Sequence, residues 1–506
     1  MRVVLVILLF VESAASLAQG WQRRYDMRGE GWYQNGAGIE NAFEGYMLFT
    51  KSDEEEKVAP GTTAYFSTVF LTRISLLGDT ISQRRHILPN HALFPGWANC
   101  CDTVGDEGYI LGGSSQSFEQ EHRVHLMRFD RDGDTLWTRR FGSAGHYWIG
   151  RQVKHTRDGG FLIVGDTDGS GGDDGFALKT DADGNEQWRQ VYGGSWLDYF
   201  IASDAAVDGY ILGGVKFLST DNSQFWVQRI DLLGAVRWSQ VWGGPFEEAS
   251  AHLIATRDGN CVVASAWGYA LDFLSTKPYL AKLDSSDGTI IWDREYGPAT
   301  YSTSFFAVKE NPDNDLIACG VSYYTGQQGL LLRTTAEGDS LWMRSYFYQD
   351  AVIQEGQGRF YDVLPTADGG FIATGAAYNP RNMGYPAGYS QDTWVVKVDG
   401  DGCLVPGCCS VGIAEQATNL LDALRIWPNP VQAGGLMNIE LDLPPTVQGK
   451  PLQLSVVDAG GKVVHVEQVI GAGPFALALS HLGTGLYYMH VQSGSTWYTG
   501  GKLLVE

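Results

Sequence analysis

Short apolar runs separated by Gly-rich turns recur along most of this chain, and they alternate with a two-residue rather than a helical period. The clearest unit runs from Asp158 to Gly194, DGGFLIVGDTDGSGGDDGFALKTDADGNEQWRQVYGG. It predicts an inner strand near Ile149 to Thr156, a second over Phe161 to Gly165, a third over Gly175 to Asp181 and an outer one over Glu186 to Tyr192. The pair Asp158-Gly159 supplies the positive φ that a tight hairpin needs. Related segments begin at Glu107, Asp208, Asp258, Asn314 and Asp368, with a weaker first copy, EGYMLFT, at Glu44. Taking the apolar residue after each turn as a marker, Tyr109, Phe161, Tyr210, Cys261, Leu316 and Phe371 are separated by 52, 49, 51, 55 and 55 residues. Trp137, Trp188, Trp238, Trp292 and Trp342 keep the same step in the predicted outer strands.

A period near 50 residues with hairpins and one aromatic per copy is the signature of propeller blades, each a four-stranded antiparallel sheet. Seven copies predict seven blades, with each Trp sealing a seam between neighbouring sheets. The seventh copy reaches Cys403 and then has Leu404-Val405-Pro406 where a Trp strand should follow. Near the chain start, Gly20-Trp21-Gln22-Arg23-Arg24-Tyr25 mimics Leu136-Trp137-Thr138-Arg139-Arg140-Phe141. The N-terminal strand is therefore expected to complete the last blade and remove its open edge.

Met1-Arg2 precedes an apolar run from Val3 to Val11 and a small-residue site at Ser16-Leu17-Ala18, the pattern of a signal peptide cleaved between Ala18 and Gln19. Nine apolar residues cannot span a bilayer, and no later stretch is long enough, so no transmembrane segment is expected in the mature chain. The 506 residues carry 36 Lys and Arg against 58 Asp and Glu, a net −22 with no basic run, which argues against a nucleic-acid partner. Glycine at 64 residues with proline at only 17 fits turn-rich sheets rather than a flexible linker.

Seven cysteines in an exported chain are disulfide candidates. Cys403 with Cys408 or Cys409 sits where the last blade stops, whereas Cys261 and Cys319 read as small buried hydrophobes. Asp166-x-Asp168-x-Ser170-Gly171, followed by Asp173 and Asp174, has the oxygen density of a calcium loop, but the twelfth position is Ala177 rather than Glu. A plain turn is the preferred reading there, calcium the competing one, and no other cofactor is expected.

No zinc-protease helix motif, nucleophile elbow, P-loop or dinucleotide fingerprint occurs. Chemistry would therefore lie at the mouth of the propeller, where crossovers between blades and the second-to-third loops open on one face. These segments offer Trp32, Trp97, Trp148, Trp196, Tyr199 and Tyr301 as aromatic faces, with Asp198 and Glu247 as carboxylates. Aromatic planes beside oxygen acceptors suit sugar rings. The competing expectation is that many of these aromatics pack between blades. The Asp-x-x-Gly-x-x-x-Trp rhythm, as in Asp130 to Trp137 and Asp181 to Trp188, also resembles the tryptophan-docking repeat of pyrroloquinoline quinone dehydrogenases, some of which contain adjacent cysteines like Cys100-Cys101. That resemblance covers blade scaffolding only.

After Cys409 the rhythm stops, and a polar stretch leads to a second domain. Leu424-Arg425-Ile426-Trp427-Pro428-Asn429-Pro430, the run around Asp458-Ala459-Gly460-Gly461-Lys462, then Gly485-Leu486-Tyr487-Tyr488 and the final Lys502-Leu503-Leu504-Val505 resemble the type A C-terminal sorting domain of the type IX secretion system. The resemblance implies passage through the periplasm and across the outer membrane by the type IX machinery, ending in release or surface attachment. The expected organisation is all-β: signal peptide 1–18, a seven-bladed propeller over 19–412, a linker over 413–423, and an Ig-like sandwich over 424–506. The expected role is binding an extracellular polysaccharide or protein without chemistry of its own. The alternative is a propeller hydrolase or lyase acting on polysaccharide.

Overall fold

The computed structural model describes residues 20–27, 34–59, 62–117, 121–168, 172–194, 196–219, 222–270, 275–300, 302–323, 326–348, 356–378, 391–404, 416–417, 424–441, 451–458, 462–470, 474–478, 482–493 and 496–506. Ala18, Gln19, Trp32, Tyr301, Cys408, Cys409 and Gly460 lie outside the described residues.

Seven antiparallel sheets follow one another in chain order and form the blades of a propeller. The third shows the pattern: Trp148–His155, Phe161–Thr167, Asp174–Thr180 and Glu186–Tyr192, paired in that order from the axis outward. Its two middle strands are buried at all seven positions, because neighbouring blades cover both faces. This is why the second strand opens on a continuous apolar run, Phe161-Leu162-Ile163-Val164, while no residue of the outer strand is fully buried. The hydrophobic cores accordingly lie in the seams: Leu162, Val164 and Ala177 of the third blade pack with Phe200, Tyr210, Leu212 and Trp226 of the fourth.

The inner hairpin turn is built the same way in three blades. The hydroxyls of Thr156, Thr256 and Thr366 donate to Asp158, Asp258 and Asp368. The following glycines, Gly159, Gly259 and Gly369, hold φ between 80° and 88°, a region open to glycine without steric cost. Each turn carboxylate also takes a lysine from the third strand of its own blade: Lys179 at 2.8 Å, Lys282 at 2.6 Å and Lys397 at 2.8 Å.

The seam residues explain the Gly-to-Trp rhythm. Each outer-strand Trp lies on the third-to-fourth turn of the next blade, against a positive-φ glycine: Trp137 on Gly184, Trp188 on Gly234, Trp238 on Gly288, Trp292 on Gly338, Trp342 on Gly402. A Cβ added at Gly288 or Gly338 would sit 2.7 or 2.8 Å from the indole. The indole N–H of Trp188, Trp238 and Trp342 also donates to a carbonyl of that turn at 2.9 to 3.0 Å. Four residues further on, Tyr192, Tyr296 and Tyr346 donate their hydroxyls to the carbonyls of the same turn glycines, at 2.6 to 2.7 Å. The first blade has no such Trp, and Arg84 instead meets Asp134 of the second blade at 2.8 Å.

Trp21–Tyr25 is the fourth strand of the seventh sheet, pairing antiparallel with Gln391–Val398. It carries the same seam contacts into the first blade, with Trp21 Nε1 donating to Leu76 O and the Tyr25 hydroxyl to Gly78 O. Arg24 binds the buried Asp392 at 2.7 Å. Cys100, Cys101, Cys261 and Cys319 are buried free thiols, and Cys403 is disulfide-bonded to a residue outside those described.

The C-terminal module has a five-stranded and a three-stranded sheet, with Met437, Ile439, Leu454, Val456, Met489, Val491 and Leu503 in the core between them. The two together make the expected small sandwich.

Candidate functional site

One backbone irregularity builds the mouth of the propeller. In five blades the inner strand carries a bulge at the same level, leaving Ala37, Arg151, Ile201, Phe306 and Tyr361 without a partner in the second strand. A bulge re-aims the extra residue out of the pleat, and all five line the central cavities. In the second blade the inner strand is interrupted between His91–Pro95 and Cys101–Thr103, and Trp97 lies in that break.

Two chambers result. The larger, about 600 Å³, is lined by Trp97, Arg151, Tyr199, Glu248, His252 and Phe306 together with Ser250, Ser304 and Thr276. The smaller, about 330 Å³, is lined by Lys51, Phe94, Trp97, His122, Arg151, Arg359 and Tyr361. Trp97 and Arg151 belong to both. An aromatic series divides the mouth, with Trp97 edge-on to Tyr361 at 6.1 Å, Tyr361 stacked on Phe306 at 5.9 Å, and Phe306 near His252 at 6.2 Å.

Of the residues anticipated from sequence, the structure brings Trp97 and Tyr199 to the larger chamber, Tyr199 meeting Ser250 through its hydroxyl at 3.0 Å. Trp148 is buried in the seam core, against Phe176 at 5.2 Å and under Arg189 at 4.4 Å, so it offers no ligand face. Asp198 is buried and held by Lys216 at 2.7 Å and the Phe217 amide at 3.1 Å. Trp196 is about half exposed on a crossover, and neither it nor Glu247 lines either chamber.

The acidic loop after Asp166 is likewise occupied by protein. Arg151 takes Asp166 at 2.6 Å, the Tyr147 amide donates to Asp168 at 3.0 Å, and His146 lies 3.2 Å from the same oxygen. Tyr147 hydrogen-bonds Asp173 through its side chain, and Asp174 accepts the Gly194 amide. Burial raises the pKa of both Asp166 and Asp174. Among the described residues no three acid, His or Cys side chains are gathered as a metal set. Each of these four aspartates therefore already has a protein partner, while Ser170 and Gly171 of the same candidate loop lie outside the described residues.

The chemistry-bearing groups that sequence reading passed over are Arg151 and His252, whereas Glu248, beside Glu247, is a carboxylate of the crossovers that sequence reading places at the mouth. Glu248 is buried, accepts the Gly244 amide at 2.6 Å and the Gly268 amide at 2.8 Å, and is pushed up to about 7 by burial. His252 is held down to about 3 by burial alone and so presents a neutral imidazole. The bulge that turns Arg151 into the mouth leaves no local sequence signature.

Further along the inner strands, Glu40, Asp102, Lys154, Asp204 and Lys309 occupy one register position in five blades, with Asp362 close by. Asp102, Asp204 and Asp362 each accept an inner-strand amide of the next blade, from His155, Ala255 and Ile39 at 2.9 to 3.1 Å. Burial pushes Glu40 up to about 8, opposed by Lys309. Here sequence did hold a signal, since a charged residue recurs six or seven places before the hairpin marker.

In the C-terminal module, the Asn429 side chain bridges the last strand, donating to Lys502 O at 2.7 Å and accepting from the Leu504 amide at 2.9 Å. Pro428 and Pro430 flank it, Asp458 accepts the Lys462 amide across a hairpin, and Tyr487 donates to Gly483 O two residues before Gly485. Residues 425–506 match the family described as a secretion system C-terminal sorting domain. This domain is the address read by the type IX secretion machinery, and it marks the chain for export to the outer surface or for release. No curated protein matches the chain. Solved structures similar to it include a protein of unknown function from Dyadobacter fermentans, at 10% identity over 74% of this chain and 99% of that one with a TM-score of 0.42. The β-propeller domain of the Trilobed protease from Pyrococcus furiosus is similar at 9% identity over 72% and 94%, TM-score 0.38. Quinohemoprotein alcohol dehydrogenase from Comamonas testosteroni is similar at 10% over 82% and 70%, TM-score 0.31. Identities this low say nothing of activity. Among the described residues no helix is long and apolar enough to cross a membrane.

Proposed function

We propose that the propeller is an exported binding protein that takes its ligand, a sugar chain, into the mouth and does not turn it over. The larger chamber carries this reading: about 600 Å³ falls within the roughly 300–1,000 Å³ of small-ligand sites, and a purely structural propeller would need no such cavity. Its lining pairs ring faces, Trp97, Tyr199 and Phe306, with neutral hydrogen-bonding groups, Ser250, Ser304, Thr276 and His252. Pyranose C–H faces stack on such rings while hydroxyls exchange hydrogen bonds with such groups.

Glycoside hydrolysis needs two carboxylates roughly 5 to 9.5 Å apart across the bond. Glu248 is the one carboxylate among the described residues lining the larger chamber, and two backbone amides already engage it. The geometry therefore favours binding over cleavage. The full chain applied to a glycan array is expected to give specific hits without product formation. Trp97→Ala should weaken those hits at least tenfold while shifting the melting temperature by no more than a few degrees, since Trp97 is about half exposed. Product release from a bound glycan would overturn the reading. Chelation of divalent cations should leave binding unchanged, because Arg151 and the Tyr147 amide already engage Asp166 and Asp168.

A further inference from the structure

The smaller chamber differs in kind from the larger one. Lys51, Arg151 and Arg359 reach it from the first, third and seventh blades, His122 adds a fourth nitrogen-bearing side chain, and no carboxylate is among its described lining residues. In a chain of net charge −22 this is a local reversal of sign. The carboxylates that hold two of these cations are outside the lining: Asp53 lies 3.0 Å from Lys51, and Asp166 lies 2.6 Å from Arg151. Arg151 meets Asp166 through Nε, and its two terminal guanidinium nitrogens make no protein hydrogen bond among the described residues. Its side chain is 29% exposed although it starts from a buried inner strand. A guanidinium anchored on one side with its outer nitrogens open is arranged to take a planar or tetrahedral anion. Trp97 and Tyr361 stand beside it, so the anion would sit next to a ring-stacking face.

We propose that the smaller chamber is an anion subsite, and that the ligand is an acidic glycan whose carboxylate or sulfate enters it while a neighbouring sugar ring occupies the larger chamber. This rests on the reading of the mouth as a glycan-binding site and names the class of glycan.

The test uses the full chain and isothermal titration with oligosaccharides of equal length: a neutral glucan, an oligogalacturonate and a sulfated galactan, with sodium sulfate alone and a polyglutamate peptide as further probes. At least one acidic oligosaccharide should bind tenfold or more tighter than the neutral one, with affinity falling as salt rises. Sodium sulfate alone should compete only at millimolar concentration, which separates a glycan-borne anion from a free one. Lys51→Gln should lower acidic-glycan affinity several-fold and leave neutral-glycan affinity alone. Arg151→Lys, which keeps the charge for Asp166 but loses the fork, should lower it about tenfold, with folding checked by an unchanged melting temperature. Equal affinity for neutral and acidic chains would overturn the anion subsite and leave glycan binding standing. Absence of binding to every glycan would overturn both. Binding of polyglutamate alone would also overturn the proposal and point to an acidic protein partner, and tight sulfate binding equal to that of the sulfated chain would reduce the site to one for the free ion.

Discussion

His125 and His252 are buried so completely that their imidazoles are held down to about 3, and both nitrogens of His125 lie without a hydrogen-bond partner among the described residues. Below the unfolded value of 6.5 the unfolded chain takes up protons that the folded one refuses, so these groups cost stability as pH falls from 6.5 toward 3. Glu248 and Glu40 act in the opposite sense. Their folded values, about 7 and about 8, lie above the ordinary 4.5, so the stability they contribute is lost as pH rises from 4.5 through 7 to 8. The terms oppose one another between 4.5 and 6.5, and below 4.5 only the imidazole loss remains. Thermal melts across pH 3.5 to 9 should show a plateau near pH 4.5 to 6.5, a steep fall on the acid side and a shallower one between 6.5 and 8. A profile still rising at pH 9 would contradict this. At the same scale the candidate site was only partly legible. Trp97 and Tyr199 stood out as aromatics in crossovers, whereas Arg151 became a mouth residue through a bulge, and Trp148, one bulge-length earlier, turned into the seam. A two-residue period assigns sides correctly only while the pairing stays regular.

The blades themselves were legible because their seams depend on residue types that few substitutes replace. Trp292, Gly338 and Tyr296 form one such unit: the indole covers a glycine with φ of 81°, and the tyrosine four places on caps that glycine's carbonyl at 2.7 Å. Gly338→Ala places a methyl within 2.8 Å of the indole at a φ that costs an alanine about 1 kcal/mol or more by itself, so a loss of about 2 to 4 kcal/mol is expected. Tyr346→Phe removes the hydroxyl that donates to Gly402 O and should cost about 1 kcal/mol. Chemical denaturation of both variants checks the ordering, which would fail if the tyrosine change cost more than the glycine change. The same turns explain why their Asp-x-Asp-Gly sequences imitate metal loops. Asp130 Oδ1 accepts the amides of Asp132 and Asp134, both at 2.9 Å, so the carboxylate is consumed by its own turn.

Across the whole molecule, the seventh sheet depends on five residues from the other end of the chain, and Arg24 with Asp392 is the polar pin of that joint, 368 residues apart in sequence. Asp392 is almost fully buried, so Arg24→Ala takes a cation away from a buried carboxylate and should destabilise the chain by about 3 kcal/mol. Arg24→Lys, which restores the charge, should recover most of that in the same unfolding measurement. The joint was readable because Trp21 and Tyr25 repeat the spacing of the internal outer strands. It also orders events in time. The last blade cannot close until Gln391–Val398 exists, and the sorting domain at 425–506 follows it directly. A chain broken off anywhere before residue 391 therefore lacks both the strand that locks the ring and the address that sends it out, so export is tied to a chain long enough to close its own ring.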